Sequence, residues 1–174
     1  AGTIGLCTIM CAKAAGAAQV IALEMSGARK AKALEVGASH VIDPNECDAL
    51  AEVRRLTAGL GADVSFECIG NKHTAKFAID LIRKAGKCVL VGIFEEPSEF
   101  NFFELVSTEK QVLGALAYNG EFADVIAFIA DGRLDISPLV TGRIQLEEIV
   151  GQGFEELVNN KEHNVKIIVS PARI

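Results

Sequence analysis

Gly2 and Gly5 stand three positions apart at the head of the chain, in Ala1-Gly2-Thr3-Ile4-Gly5-Leu6. This spacing is the tail of a Gly-x-Gly-x-x-Gly turn that runs into a helix. In such a turn the second glycine lets the backbone approach a pyrophosphate and the third lets the helix press on a sheet. The helix start adds unpaired N–H groups and the positive end of a dipole. Two glycines alone are a weak signal, and a helix start that needs room is the plainer account of them. Glu24 strengthens the case. It closes the apolar run Gln19-Val20-Ile21-Ala22-Leu23, nineteen positions past Gly5. A dinucleotide site wants a carboxylate at about that distance, accepting hydrogen bonds from the adenosine ribose. That carboxylate repels a 2′-phosphate, so the spacing predicts NAD rather than NADP.

Positioning these groups requires alternating helices and strands, and the hydrophobic pattern supplies them. A helix over 3–15 is followed by a strand over 19–23, then a helix over 27–36 with Ser26 as its cap and Gly37 as its stop. Strands are expected at 40–43, 64–68, 88–91 and 111–117, with helices over 47–57, 72–84 and 121–130, the last capped by Asn119. An irregular loop rich in Glu and Phe spans 94–103. The succession predicts an α/β fold with a doubly wound parallel sheet, Rossmann-like, whose first strand is not in the chain. Ligands of such sheets bind beyond the carboxyl ends of the strands.

Residues 133–174 break the alternation. An extended stretch interrupted by Pro138, an amphipathic helix over 146–159 and a strand over 165–169 read as chain returning to a neighbouring domain. The expected division is therefore a nucleotide-binding domain at 1–132 and a return segment at 133–174.

Composition excludes several classes. Half of the 174 residues are hydrophobic but only 6% are aromatic and none is Trp, a small-aliphatic bias that suits parallel strands covered on both faces. No apolar run approaches the roughly 18 residues of a membrane span. A net charge of −6 with no basic block argues against nucleic acid. Cys7, Cys11, Cys47, Cys68 and Cys88 are spread singly, and none of His40, His73 and His163 sits at ligand spacing from one. They are expected to be buried thiols in a reducing cytoplasm.

Taken in order, Ala1-Gly-Thr-Ile-Gly-Leu6, Val20-Ile-Ala-Leu-Glu24, Val36-Gly-Ala38, Asp63-Val-Ser-Phe-Glu-Cys-Ile-Gly70, Gly86-Lys-Cys-Val-Leu-Val-Gly92, Pro138-Leu-Val-Thr141 and Leu146-Glu-Glu148 resemble the cofactor-binding half of the zinc-dependent medium-chain alcohol dehydrogenases. Ser107 to Gly114 and Tyr118 to Phe122 are most similar to their 2,3-butanediol dehydrogenase branch. The resemblance covers essentially the whole chain. It implies that Gly2, Thr3, Ile4 and Gly5 face the pyrophosphate, that Glu24 holds the adenosine ribose and that Arg29 flanks the same ribose and phosphate. Cys68 and Ile69 would pack against the riboses. Val91, Gly92 and Ile93, with Ala115, Leu116 and Ala117, would hold the nicotinamide carboxamide. For these apolar positions ordinary strand-end core is an equal reading. The resemblance also implies a homo-oligomer through the edge strand Gln111 to Ala117, while hydropathy and charge leave no membrane and no nucleic acid among the expected partners.

By the same resemblance, the catalytic zinc is held outside this chain, in a preceding half. The chain is then expected to carry no catalytic or metal-ligating residue itself. The whole enzyme would oxidise a secondary alcohol or diol to the ketone, with the fragment alone inactive. Loss of a central strand forfeits buried side chains at about 1.5–3 kcal/mol each, against a typical net stability of about 5–15 kcal/mol. The isolated chain is therefore expected to fold poorly, to dimerise aberrantly or to recruit another segment. Two rivals share the glycine turn and the acid: an S-adenosylmethionine-dependent methyltransferase and a stand-alone NAD-sensing module. A short-chain dehydrogenase needs Tyr-x-x-x-Lys, and the only tyrosine, Tyr118, has Phe122 in the lysine's place.

Overall fold

A computed structural model describes residues 1–171. Seven helices and seven strands follow in order: α1 (Thr3–Ala14), β1 (Ile21–Leu23), α2 (Gly27–Glu35), β2 (His40–Ile42), α3 (Ala49–Leu56), β3 (Ala62–Glu67), α4 (Lys72–Leu81), β4 (Ile82–Leu90), α5 (Phe102–Thr108), β5 (Gln111–Gly114), α6 (Phe122–Ala130), β6 (Val140–Gln145), α7 (Glu156–Asn159) and β7 (Lys166–Ser170). Every ladder is parallel: β1 with β2, β3 with β4, β4 with β5, and β6 with β7. The fold is α/β with open parallel sheets, Rossmann-like and of reduced extent. No ladder joins β1 to β3 among the described residues, so each keeps one unpaired edge.

The chain forms two compact units. The first comprises residues 1–42 and 120–174, the second residues 43–119. In the first, Leu6, Ile9 and Met10 of α1 pack with Ala22 of β1, Ala33 of α2, Val36, Ala38, Leu134 and Leu139. Leu6 is wholly enclosed. In the second, Ala78, Ile79, Ile82 and Cys88 form the core, with Ala62, Leu90, Phe100, Leu105 and Val112 against it.

Local chemistry sets most boundaries. Ser26 caps α2 by accepting from the Arg29 N–H at 3.5 Å, a weak bond. Asp48 caps α3, accepting from Leu50 and Ala51, so that helix starts two residues later than the apolar pattern predicts. Asn71 caps α4 through His73 and Thr74. The end of α4 is a correction. Residues 82–84 are extended, because Ile82 pairs with Ala62 and Arg83 binds Asp63 at 2.6 Å. Asn119 is not a cap either: Glu121 precedes α6 and no side chain closes its first turn. Helix α5 is absent from the expectation. Its cap is Asn101, which accepts from the Phe103 N–H, with Glu104 in its first turn. The stretch 146–159 is helical but irregular, passing through 3-10 and π geometry before α7.

Candidate functional site

The first candidate group lies at the head of α1. Gly2 is its N-cap, no side chain caps it, and no acid occupies its first turn. Its leading N–H groups and the positive dipole end therefore suit an anion. Room exists for one, because a Cβ built on Gly2 meets nothing within 4 Å. Thr3 is committed elsewhere: its hydroxyl donates to the Val165 carbonyl at 2.8 Å, tying the turn to the residue before β7. Ile4 is exposed and Gly5 half-buried.

Glu24 follows β1 in the same unit. Its Oε1 accepts from the N–H groups of Met25 and Ser26, at 2.8 and 2.9 Å. Two backbone donors thus fix the carboxylate and leave Oε2 to face a partner. Here that partner is the Ala1 ammonium, 2.7 Å away. Partial burial pushes the Glu24 carboxyl up, but the ammonium and the Ser26 and Met25 N–H groups outweigh it and hold the carboxyl below its ordinary value. Arg29 sits half-buried in the first turn of α2. The sequence reading missed Glu162, which accepts a hydrogen bond from the Ser26 hydroxyl at 2.9 Å. Only the fold brings it there, 136 positions away in sequence.

The second candidate group lies in the other unit, at the carboxyl ends of three adjacent strands. The register aligns Glu67 of β3, Leu90 of β4 and Gly114 of β5. The expected residues Cys68, Val91 and Ala115 therefore each stand one position beyond an aligned row. Two further bonds stitch the row: Val91 N–H donates to the Glu67 carbonyl at 2.8 Å, and Ala115 N–H to the Leu90 carbonyl at 3.0 Å. Gly92 N–H also donates to the Glu67 carbonyl, at 2.9 Å. The N–H groups of Val91 and Gly92 are thus engaged, and what they can offer a ligand is carbonyl oxygen. Ile69, Ile93 and Leu116 are exposed apolar side chains, and Ala115 and Ala117 are exposed as well.

None of the five cysteines forms a disulfide, yet the expectation of buried thiols holds only for Cys88; Cys7 and Cys68 are half-buried, Cys11 and Cys47 exposed. Burial, then the neighbouring Cys11, push the Cys7 thiol up, and burial does the same at Cys88. Neither is a ready nucleophile. Among the described residues no group of three His, Cys, Asp or Glu side chains could hold a metal ion. No helix among them is long and apolar enough to cross a membrane.

Comparison with known proteins places this geometry. The chain is 40% identical over 172 residues to an (R,R)-butanediol dehydrogenase of Neisseria gonorrhoeae, covering 98% of the chain and 48% of that protein. It is 32% identical over 157 residues to human sorbitol dehydrogenase, covering 89% of the chain and 44% of that protein. Among solved structures, the 2R,3R-butanediol dehydrogenase of Bacillus subtilis superposes with a TM-score of 0.92 at 36% identity, over 98% of this chain and 49% of that one. The chain thus spans about half the length of the curated relatives it matches. The family model described as zinc-binding dehydrogenase matches residues 3–131, and the chain belongs to that family.

Proposed function

We propose that this chain is the NAD-binding portion of a zinc-dependent dehydrogenase that oxidises a secondary alcohol or vicinal diol to the ketone. The observation that carries the reading is the pairing, within one unit, of an uncapped, acid-free helix start with a carboxylate fixed by two backbone N–H groups at the end of β1. Residues 1–132 supply the cofactor site, and 133–174 lead back to the part of the protein that holds the substrate. The family match sets the methyltransferase reading aside.

The residues present fit the dinucleotide. Gly2 and the first turn of α1 receive the pyrophosphate, with Ile4 and Gly5 in that turn. Glu24 accepts from the adenosine ribose through Oε2, with Arg29 beside it, and repels a 2′-phosphate. Cys68 and Ile69 border the riboses, while Val91 to Ile93 and Ala115 to Ala117 orient the carboxamide through backbone groups. NAD held by these residues would supply the acceptor for the hydride of the alcohol carbon. What this chain does is orient the ring and exclude water from one of its faces. Zinc does not fit the described residues of this chain, and its ligands are assigned to the remainder of the protein.

The butanediol and sorbitol names of the relatives favour a substrate with neighbouring hydroxyl groups. Strand β5 has one ladder partner, β4, and exposes Leu113. An exposed apolar edge invites pairing, so a second copy across a two-fold axis is its use. Five cysteines without a disulfide accord with a reducing cytoplasm. The test is turnover by the complete protein with 2,3-butanediol, sorbitol and ethanol. NAD-dependent oxidation of the diols, abolished by a zinc chelator and restored by zinc, is expected. Turnover that survives metal removal, or that runs only with NADP, would contradict the reading.

A further inference from the structure

Among the described residues Glu67 is one of two buried polar or charged residues, with 3% of its surface exposed. Its carboxylate has no cation within ion-pair distance among the described residues, and the donors that meet it are neutral. Oε1 accepts from the N–H groups of Ile69 and Gly70 at 2.9 and 3.0 Å and from the Thr74 hydroxyl at 2.8 Å, and Oε2 takes a second, longer bond from Gly70 at 3.1 Å. Its main-chain carbonyl accepts from Val91 and Gly92. One residue therefore holds both turns that follow adjacent strands, 68–70 after β3 and 91–93 after β4. The two turns meet so tightly that a Cβ on Gly92 would lie 2.2 Å from the Gly70 nitrogen and 2.6 Å from Oε2 of Glu67. Gly70 itself has φ +92°, a conformation that needs anchoring as well as glycine.

A buried carboxylate with only neutral donors is costly unless each bond is made, and it contributes rigidity when all are. We propose that Glu67 is the positioning residue of the nicotinamide half of the site: its carboxylate sets the 68–70 turn, and through the shared Gly70–Gly92 contact the 91–93 turn, in the shape that receives the nicotinamide ribose and carboxamide. The inference rests on the dinucleotide-binding reading above. Glu67 touches no reacting atom, so its effect is on placement.

The test is binding of NADH and of AMP to the complete protein, wild type against Glu67→Ala. AMP probes the adenosine half alone. Removing the acceptor that three donors share is expected to weaken NADH about tenfold while leaving AMP within about twofold. Glu67→Gln should recover most of the NADH affinity, because its amide oxygen can take the three bonds of Oε1 and only the longer Gly70 bond to Oε2 is lost. Equal NADH affinity in wild type and Glu67→Ala would overturn the proposal. So would AMP affinity falling in step with NADH, or Glu67→Gln as weak as Glu67→Ala. Should Glu67→Ala not fold, Thr74→Val removes one donor, and about a threefold loss for NADH with AMP unchanged is expected; no change would overturn the proposal. A wild-type protein that binds neither ligand would instead refute the dinucleotide reading itself, a distinct result.

Discussion

Gly2 and Gly92 belong to two regions that are each expected to hold part of one cofactor, yet their surroundings are opposite. A side chain on Gly2 would enter open space, whereas one on Gly92 would strike the Gly70 backbone and the Glu67 carboxylate. The head of α1 is an open cradle, its leading N–H groups without a side-chain cap. The carboxyl ends of β3 and β4 are a closed knot whose N–H groups are spent on one another's turns. One region presents donors and the other presents shape. A glycine required by a ligand and a glycine required by packing cannot be told apart in a sequence, but substitution separates them.

Gly92→Ala should have the largest effect. Overlap with backbone cannot be relieved by a rotamer change, and overpacking of this kind costs about 3 kcal/mol or more. A cooperative melt within a degree of the wild type would show that the knot is loose. Gly2→Ala should leave the melting temperature nearly unchanged, with about 0.5 kcal/mol or less lost, yet weaken NADH about tenfold by filling the phosphate cradle. Isothermal titration beside thermal denaturation checks both halves of that statement. Loss of stability without loss of affinity would reverse the roles assigned to the two glycines.

The pH dependence of Glu24 is the smaller effect. Its folded carboxyl titrates below the ordinary glutamate value, because the Ala1 ammonium and two N–H groups outweigh burial. A lowered folded value means that its contribution to stability is full above the unfolded value of about 4.3 and is lost as pH falls through the folded one. Stability of the 174-residue chain itself, in which Ala1 carries that ammonium, should therefore lose the Glu24 contribution only below about pH 4.3 as pH falls from neutral, and a Glu24→Gln variant of the same chain should lack that portion of the acid decline. A variant with the same acid profile as the wild type would contradict the assignment.

The elements at the head of the chain were legible in the sequence and the contacts of Glu67 were not, for physical reasons. Helix α1, strand β1, Glu24 and the Ser26 cap follow from interactions between near neighbours, which residue order encodes. Asp48 as the cap of α3 and Asn101 with Glu104 at the start of α5 were also local signals, and the polar-x-x-acid pattern of the latter could have exposed the unexpected helix. The end of α4 was not local, since Ile82 leaves the helix to pair with Ala62. Glu67 read as one more residue of a strand. Its burial depends on Thr74, Gly70 and Gly92 closing around it, and only the second of those lies within its own turn. Glu162 reaches Ser26 across most of the chain and left no trace in spacing.

If Glu24 reads the adenosine ribose and thereby selects NAD, as proposed above, the ratio of dissociation constants for NADH and NADPH must depend on it. In the complete protein the wild type should favour NADH by about a hundredfold, and Glu24→Ala should bring the ratio within about tenfold of unity, as loss of one charge repulsion and one charged hydrogen-bond acceptor implies. A ratio that does not move when Glu24 is replaced would contradict the account.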